Sequence, residues 1–266
     1  MHLDYTVIDP TKNITLLVTS PVPRFRQAEA AAWLLEQEKG AEQVGFLEFS
    51  PAGGQRLQMM GGEFCGNATM AFGAWLCQQE GLGSDESAEL LLDVSGVREP
   101  VPCTITALPE CYLGTVTMPL PEKVEMLDLD GRRLPVVFLP GICHIIAPAR
   151  EIPATEAETL LRRWSAQLPG EAAGLMLLDE ESMSMNPLVY VKPTGSLVWE
   201  SGCGSGSAAV GAWLTEHRNA PQCISLHQRG GTINIVTCWQ EGHLTKLTIT
   251  GVVTIRRSHS AEMPAE

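Results

Sequence analysis

The chain has 266 residues, 44% of them hydrophobic and 18% charged, so it can bury a substantial core and is too apolar for whole-chain disorder. Its formal charge is −13, from 18 basic and 31 acidic residues, a field that repels phosphate backbones and anionic lipid and leaves no nucleic acid or membrane partner. No apolar run approaches the roughly 18 residues of a membrane span, and Met1-His2-Leu3-Asp4-Tyr5 lacks the basic and apolar segments of a signal peptide. The expectation is a soluble cytoplasmic protein. Its eight cysteines are too sparse for a disulfide scaffold and contain no C-x-x-C pair, so most should be reduced, buried and inert.

Taken in chain order, Thr15–Thr19 and Gln43–Phe49 read as strands around a helix from Arg26 to Glu38. An Ala-rich helix follows Cys65, and Leu90–Ser95, Val101–Thr106 and Leu113–Met118 then read as a meander of strands. Pro119-Leu120-Pro121 breaks the pattern. Beyond it, Pro135–Leu139, His144–Ala147, Ala173–Leu178 and Pro187–Val191 read as strands around a helix from Ala154 to Gln167. A helix after Cys203 leads into strands at Ile224–His227, Thr232–Trp239 and Leu244–Thr250.

The second series echoes the first. With Cys65 placed over Cys203, Cys-Gly-Asn-Ala-Thr-Met-Ala-Phe-Gly-Ala-Trp-Leu and Cys-Gly-Ser-Gly-Ser-Ala-Ala-Val-Gly-Ala-Trp-Leu agree at seven of twelve positions. The fold class expected is α+β: two similar, pseudo-symmetric domains, each a curled, mostly antiparallel sheet around a central helix. Their bounds are 1–121 and 122–255, with a tail at 256–266 that returns to the first half.

Each repeated segment sets a cysteine at a helix N-terminus, where unpaired amides and the helix dipole favour anions and can lower a thiol pKa toward neutrality. Asn67 and Ser205 are expected to cap the turns. If the halves face each other, two thiols and two anion-binding turns meet in one cleft. That is the equipment of amino-acid racemisation: one sulfur takes the Cα proton while the other returns a proton to the opposite face.

Cys65-Gly66-Asn67 and Cys203-Gly204-Ser205-Gly206 resemble the paired motifs of diaminopimelate epimerases and other cofactor-independent, two-cysteine racemases. The resemblance extends to Asn13, Gln43, Gly141-Ile142-Cys143-His144, Val198-Trp199-Glu200 and Arg229-Gly230-Gly231. The stretches from Gly62 to Met70 and from Trp199 to Gly206 are closer still to histidine racemases of opine-type metallophore pathways. The resemblance implies a diaminopimelate epimerase-like fold, catalytic Cys65 and Cys203, and an α-carboxylate site at the amides of Gly66, Asn67, Gly204 and Ser205. It implies Glu200 as partner of the α-ammonium group and Asn13 and Gln43 as cleft-lining residues. His144, in an apolar strand, reads as structural.

The substrate implied is a small amino acid, histidine, with no cofactor and no metal; a homodimer stays open. Diaminopimelate epimerases carry Glu-Arg where this chain has Glu200-Ser201, and Met59, Ile142 and Ala172 stand where those enzymes have further polar groups. The alternatives are diaminopimelate epimerase or a racemase of another amino acid, a cysteine hydrolase using Cys203 with His144, and a non-catalytic amino-acid binding protein. The hydrolase leaves Cys65 unexplained, and simple binding needs neither cysteine.

Overall fold

A computed structural model describes residues 1–50 and 53–264. The chain forms two compact units, Met1–Thr117 with Thr250–Glu266, and Met118–Ile249. The bounds expected from the sequence were 121/122 and 255/256; the last strand, His243–Glu262, runs through both units. Residues 265–266 of the expected tail lie outside the described residues.

The first unit contains β1 (His2–Pro10), β2 (Thr15–Val18), α1 (Gln27–Gln37), β3 (Gln43–Phe49), β4 (Gln55–Met59), α2 (Gly66–Glu80), β5 (Ser87–Val94), β6 (Val101–Ala107) and β7 (Tyr112–Thr117). It also takes the distal part of β16 (His243–Glu262). Its strands follow the order β1-β2-β3-β4-β5-β6-β7-β16, and pairing of β1 with β16 closes the sheet on itself. Closure removes exposed edges and explains why the polar stretch Arg256–Glu262 is strand: it pairs from Val7↔Arg257 to His2↔Glu262.

The second unit contains β8 (Lys123–Leu129), β9 (Arg132–Leu139), β10 (Ile142–Pro148), α3 (Ala154–Ser165), β11 (Ala172–Asp179), β12 (Ser184–Val191), β13 (Ser196–Trp199), α4 (Gly204–Arg218), β14 (Cys223–Gln228), β15 (Gly231–Gln240) and the start of β16. Its order is β16-β15-β14-β12-β11-β10-β9-β8, with β13 on β12.

The two units repeat one plan. Most pairings are antiparallel, but β2–β3 and β4–β5 are parallel, as are β10–β11 and β12–β14. Each parallel pair brackets a helix, as a parallel connection requires a crossover, within the mostly antiparallel sheet that was expected. In each unit one helix lies outside. On α3, Ala157, Leu161 and Trp164 fall on one stripe that packs on β11 and β12, with Arg162 and Arg163 in its last turn. On α1, Ala30, Ala31 and Leu34 join a cluster with Leu16, Val44 and Phe46.

The other helix of each unit is central. Along α2 the run Gly66–Ala74 is buried, and along α4 Gly206–Ala212 is, which suits helices apolar nearly all round. The repeated glycine of each lets the helix approach its sheet. A Cβ on Gly73 would lie 3.1 Å from Ile105 of β6, and one on Gly211 2.5 Å from Ile235 of β15. Both helices end on a left-handed residue, Gly81 (φ 74°) and Asn219 (φ 50°).

Candidate active site

Cys65 and Cys203 are the N-cap residues of α2 and α4. Each sulfur accepts a hydrogen bond from the amide three residues on, Ala68 at 3.4 Å and Gly206 at 3.3 Å. Each carbonyl accepts from the hydroxyl four residues on, Thr69 at 2.8 Å and Ser207 at 2.6 Å. The cysteines therefore cap their own helices, and Asn67 and Ser205, expected as caps, turn their side chains elsewhere. The amides of Gly66, Asn67, Gly204 and Ser205 belong to the first turns, whose N–H groups lie outside the intrahelical ladder and suit a carboxylate. The matching Thr69 and Ser207 escaped the sequence reading, although their common spacing after each cysteine was a visible signal.

In the first unit Cys65 is half-buried within a net of amides. Its Sγ–H donates to Gln43 Oε1 at 3.2 Å. Gln43 Nε2 donates to Asn13 Oδ1 and to Thr15 Oγ1, each at 2.8 Å, and Asn67 Nδ2 donates to Asn13 Oδ1 at 3.1 Å. Asn13 Nδ2 donates to Glu42 Oε2 at 2.5 Å. The parallel register Thr15↔Gln43 sets these side chains beside one another. Asn13, Gln43 and Asn67 are all buried. Thr15 and Glu42 were not foreseen; nothing in the local sequence distinguishes them.

In the second unit Cys203 is fully buried and its partners differ. Burial, followed by the charge and hydrogen bond of Glu200, pushes its thiol well above the ordinary range; Ser205 and the Gly206 amide pull the other way. The expected lowering by the helix start is thus overturned at this cysteine, because desolvation and a neighbouring carboxylate outweigh one helix turn. Ser205 Oγ lies 3.6 Å from the sulfur and 3.0 Å from His144 Nε2. His144 is buried, and burial pushes its imidazole down to about 3. Its Nδ1 has no hydrogen-bond partner, and its ring fits because residue 174 is glycine: a Cβ there would lie 2.2 Å from Nδ1. Gln228, also unforeseen, accepts from the Cys203 amide at 2.8 Å and donates to Ser207 Oγ at 2.9 Å.

None of the eight cysteines is in a disulfide; four are buried, three half-buried and Cys223 exposed, against the expectation that most are buried. Among the described residues no group of three His, Cys, Asp or Glu side chains is placed to hold a metal ion. No helix there is long and apolar enough to cross a membrane. A cavity of about 650 Å³ in the second unit, lined by Arg133, Arg150, Asp179 and Trp213 among others, includes none of the residues above.

The family model described as histidine racemase CntK N-terminal domain matches residues 2–261. A histidine racemase of Staphylococcus aureus (strain Mu50) is 31% identical over 270 residues, covering 95% of this chain and 94% of its own. Among solved structures, a predicted epimerase from Pseudomonas aeruginosa superposes with a TM-score of 0.70 at 16% identity, covering 98% of this chain and 100% of its own. A hydroxyproline epimerase from Agrobacterium vitis, solved with trans-4-hydroxy-L-proline, gives 0.66 at 12%, covering 97% and 92%. Both share the fold.

Proposed function

The chain belongs to the histidine racemase family and is an isomerase of the amino-acid racemase and epimerase class, and from that premise we propose that it interconverts L- and D-histidine by two-base proton transfer at Cα between Cys65 and Cys203. The observation that carries this reading is the matched pair of cysteine N-caps, each with the same amide-to-sulfur and hydroxyl-to-carbonyl bonds. A structural cysteine needs no such duplicate.

In the proposed reaction the α-carboxylate binds the first-turn amides of Gly66, Asn67, Gly204 and Ser205, whose N–H groups stabilise charge spreading from Cα. One sulfur, as thiolate, takes the Cα proton and becomes a thiol. The other, a thiol, gives its proton to the opposite face and becomes a thiolate. The reverse direction exchanges the roles, so the two titrations belong to the pair. Glu200 faces the Cys203 thiol, so an α-ammonium group seated beside that sulfur meets a carboxylate. The protein's own groups are sufficient for this chemistry. The sequence resemblance extends the proposal to cytoplasmic service in an opine-type metallophore pathway.

Histidine is preferred over diaminopimelate because a second charged head group needs fixed partners, and Ser201, Met59, Ile142 and Ala172 supply none. Purified protein incubated with each L-substrate, followed by chiral chromatography, tests this. The ratio of kcat/KM for L-histidine to that for LL-diaminopimelate is expected above roughly 100, from a few kcal/mol of unpaired charge. A ratio below one returns the chain's chemistry to diaminopimelate.

A further inference from the structure

The amide net around Cys65 has a direction. A carboxylate oxygen only accepts hydrogen bonds, so Glu42 Oε2 requires Asn13 to present its NH2 group, at 2.5 Å. Asn13 must then point Oδ1 inward, where it receives Asn67 Nδ2 at 3.1 Å and Gln43 Nε2 at 2.8 Å. The second N–H of Gln43 goes to Thr15 Oγ1, whose own hydroxyl hydrogen goes to the Asn13 carbonyl at 3.2 Å. Both donors of Gln43 are thereby used, and its remaining group, Oε1, faces the Cys65 sulfur at 3.2 Å. Turning Gln43 over would set Oε1 against Asn13 Oδ1; turning Asn13 over as well would set Oδ1 against the Glu42 carboxylate. Either arrangement opposes two acceptors in a buried net.

We infer that Glu42, Asn13 and Gln43 form a one-way hydrogen-bond relay that makes Gln43 an acceptor toward Cys65, so that in the ligand-free protein this sulfur is held as a hydrogen-bearing thiol. Gln43 and Asn13 then act as positioning residues for the thiol, with their hydrogen-bonding capacity spent on the net, in place of the cleft-lining, substrate-binding role expected of them. Glu42, at the outer end, sets the polarity of a contact it does not touch. The inference rests on the reading of Cys65 as a proton carrier only for its importance to catalysis; its geometry stands in the resting protein.

Several groups of its own unit bear on ionisation of Cys65. Ala68 N–H, on α2, donates to the sulfur and favours thiolate. Gln43 Oε1, on β3, accepts from it and favours thiol. Glu42 acts from the approach to β3 through the relay. Glu63, two residues upstream, has its carboxyl turned back onto the amides of Gly61 and Glu63, and burial raises its pKa.

The test is the rate of alkylation of Cys65 by iodoacetamide across pH, read on its own peptide by mass spectrometry, without substrate. Below the thiol pKa the rate follows the thiolate fraction, so one pKa unit is roughly tenfold. Glu42→Gln replaces the obligate acceptor by a group that also donates. The relay can then invert, Gln43 can offer N–H to the sulfur, and alkylation at neutral pH is expected to rise about threefold to tenfold. In a Gln43→Met background the same Glu42 change is expected to alter the rate by less than about twofold, since the effect passes through Gln43. Glu42→Ala, at a half-exposed position, repeats the first arm should the glutamine variant fold poorly. An unaltered rate in Glu42→Gln and Glu42→Ala overturns the relay, and so does an equal acceleration with Gln43 removed. Separately, full racemisation by Cys65→Ser overturns the proton-carrier reading while leaving the alkylation result to stand or fall alone.

Discussion

The two cysteine caps share a backbone and differ in what surrounds the sulfur. At Cys65 the residue two positions on, Asn67, reaches Asn13, and amides carry the net to Gln43 and the thiol. At Cys203 the equivalent residue, Ser205, reaches His144, and a carboxylate, Glu200, stands by the thiol in place of a glutamine carbonyl. Gln43 holds the side chain of Cys65, whereas Gln228 holds the main chain of Cys203. A helix N-terminus therefore does not decide the protonation of its cap. In both units a nearby acceptor opposes the helix, and at Cys203 burial adds to it. Under the two-cysteine reaction proposed above, resting thiols at both caps would require one of them to lose its proton before exchange at Cα begins.

The largest expected effect tests whether the two caps are equivalent in the reaction. Cys65→Ser and Cys203→Ser should each lower racemisation by roughly 10³-fold or more, because a serine hydroxyl is a poor base at neutral pH. If each cap serves one face, the two variants should retain Cα hydrogen exchange with solvent deuterium from opposite enantiomers. Near-normal racemisation by either variant would remove that cysteine from the reaction, and exchange retained from the same enantiomer in both would break the equivalence.

The next contrast is between the contacts made by the residue two positions after each cysteine, one to a titratable group and one not. The Asn67–Asn13 contact carries no ionisable group; the Ser205–His144 contact carries a buried imidazole. Its folded pKa, about 3, lies below the unfolded value of 6.5. The unfolded chain thus binds the extra proton first as pH falls, and stability is lost from pH 6.5 downward until the folded imidazole itself charges. Between pH 6.5 and 5 that loss is about 2 kcal/mol. His144→Asn removes the titratable group from the Ser205 contact and should flatten the pH dependence of urea unfolding by that amount. An unchanged slope would show that His144 does not carry the acid sensitivity of the second unit.

How much of this was legible follows the same physics. The paired cysteines, the central helices and the repeat could be read because they are local: spacing after Cys65 and Cys203 is preserved along the chain. β8 was missed because it carries three charged residues, Lys123, Glu125 and Asp128, just after the Pro119-Leu120-Pro121 break, and the distal half of β16 because Arg256, Arg257 and Ser258 read as a polar tail until β1 is there to pair with them. β1 has no turn residues before it, and β4 and β13, although bounded by glycines on both sides, are only five and four residues long, too short to show a period. The site divides likewise. Asn13, Gln43, Glu200 and His144 were visible through resemblance, but what each touches was not. Glu42, Thr15 and Gln228 join the nets through strand register and parallel pairing, which join residues far apart in sequence.

The smallest effect concerns the repeated glycine under each central helix, where identical sequence meets unequal neighbours. Alanine in place of glycine gains about 1 kcal/mol of helix propensity, so the sign of each substitution depends on the space available. At Gly73 the new methyl would lie 3.1 Å from Ile105 Cδ1 and Cγ1 and 3.3 Å from Cys103 Sγ, contacts that a few tenths of an ångström of side-chain movement relieves. At Gly211 it would lie 2.5 Å from Ile235 Cγ2, a methyl on a β-branched stem that cannot swing away without moving its strand. Overpacking of that kind costs about 1–3 kcal/mol. Gly73→Ala should therefore change unfolding free energy by less than about 1 kcal/mol in either direction, while Gly211→Ala should lose about 1 kcal/mol net. Ile235→Val in the Gly211→Ala background keeps Cγ2 and should restore little, whereas Ile235→Ala removes it and should relieve the clash at the cost of its own cavity. Urea unfolding of the four variants orders these terms; a Gly73→Ala variant less stable than Gly211→Ala would mean that α2, not α4, is the more tightly seated helix.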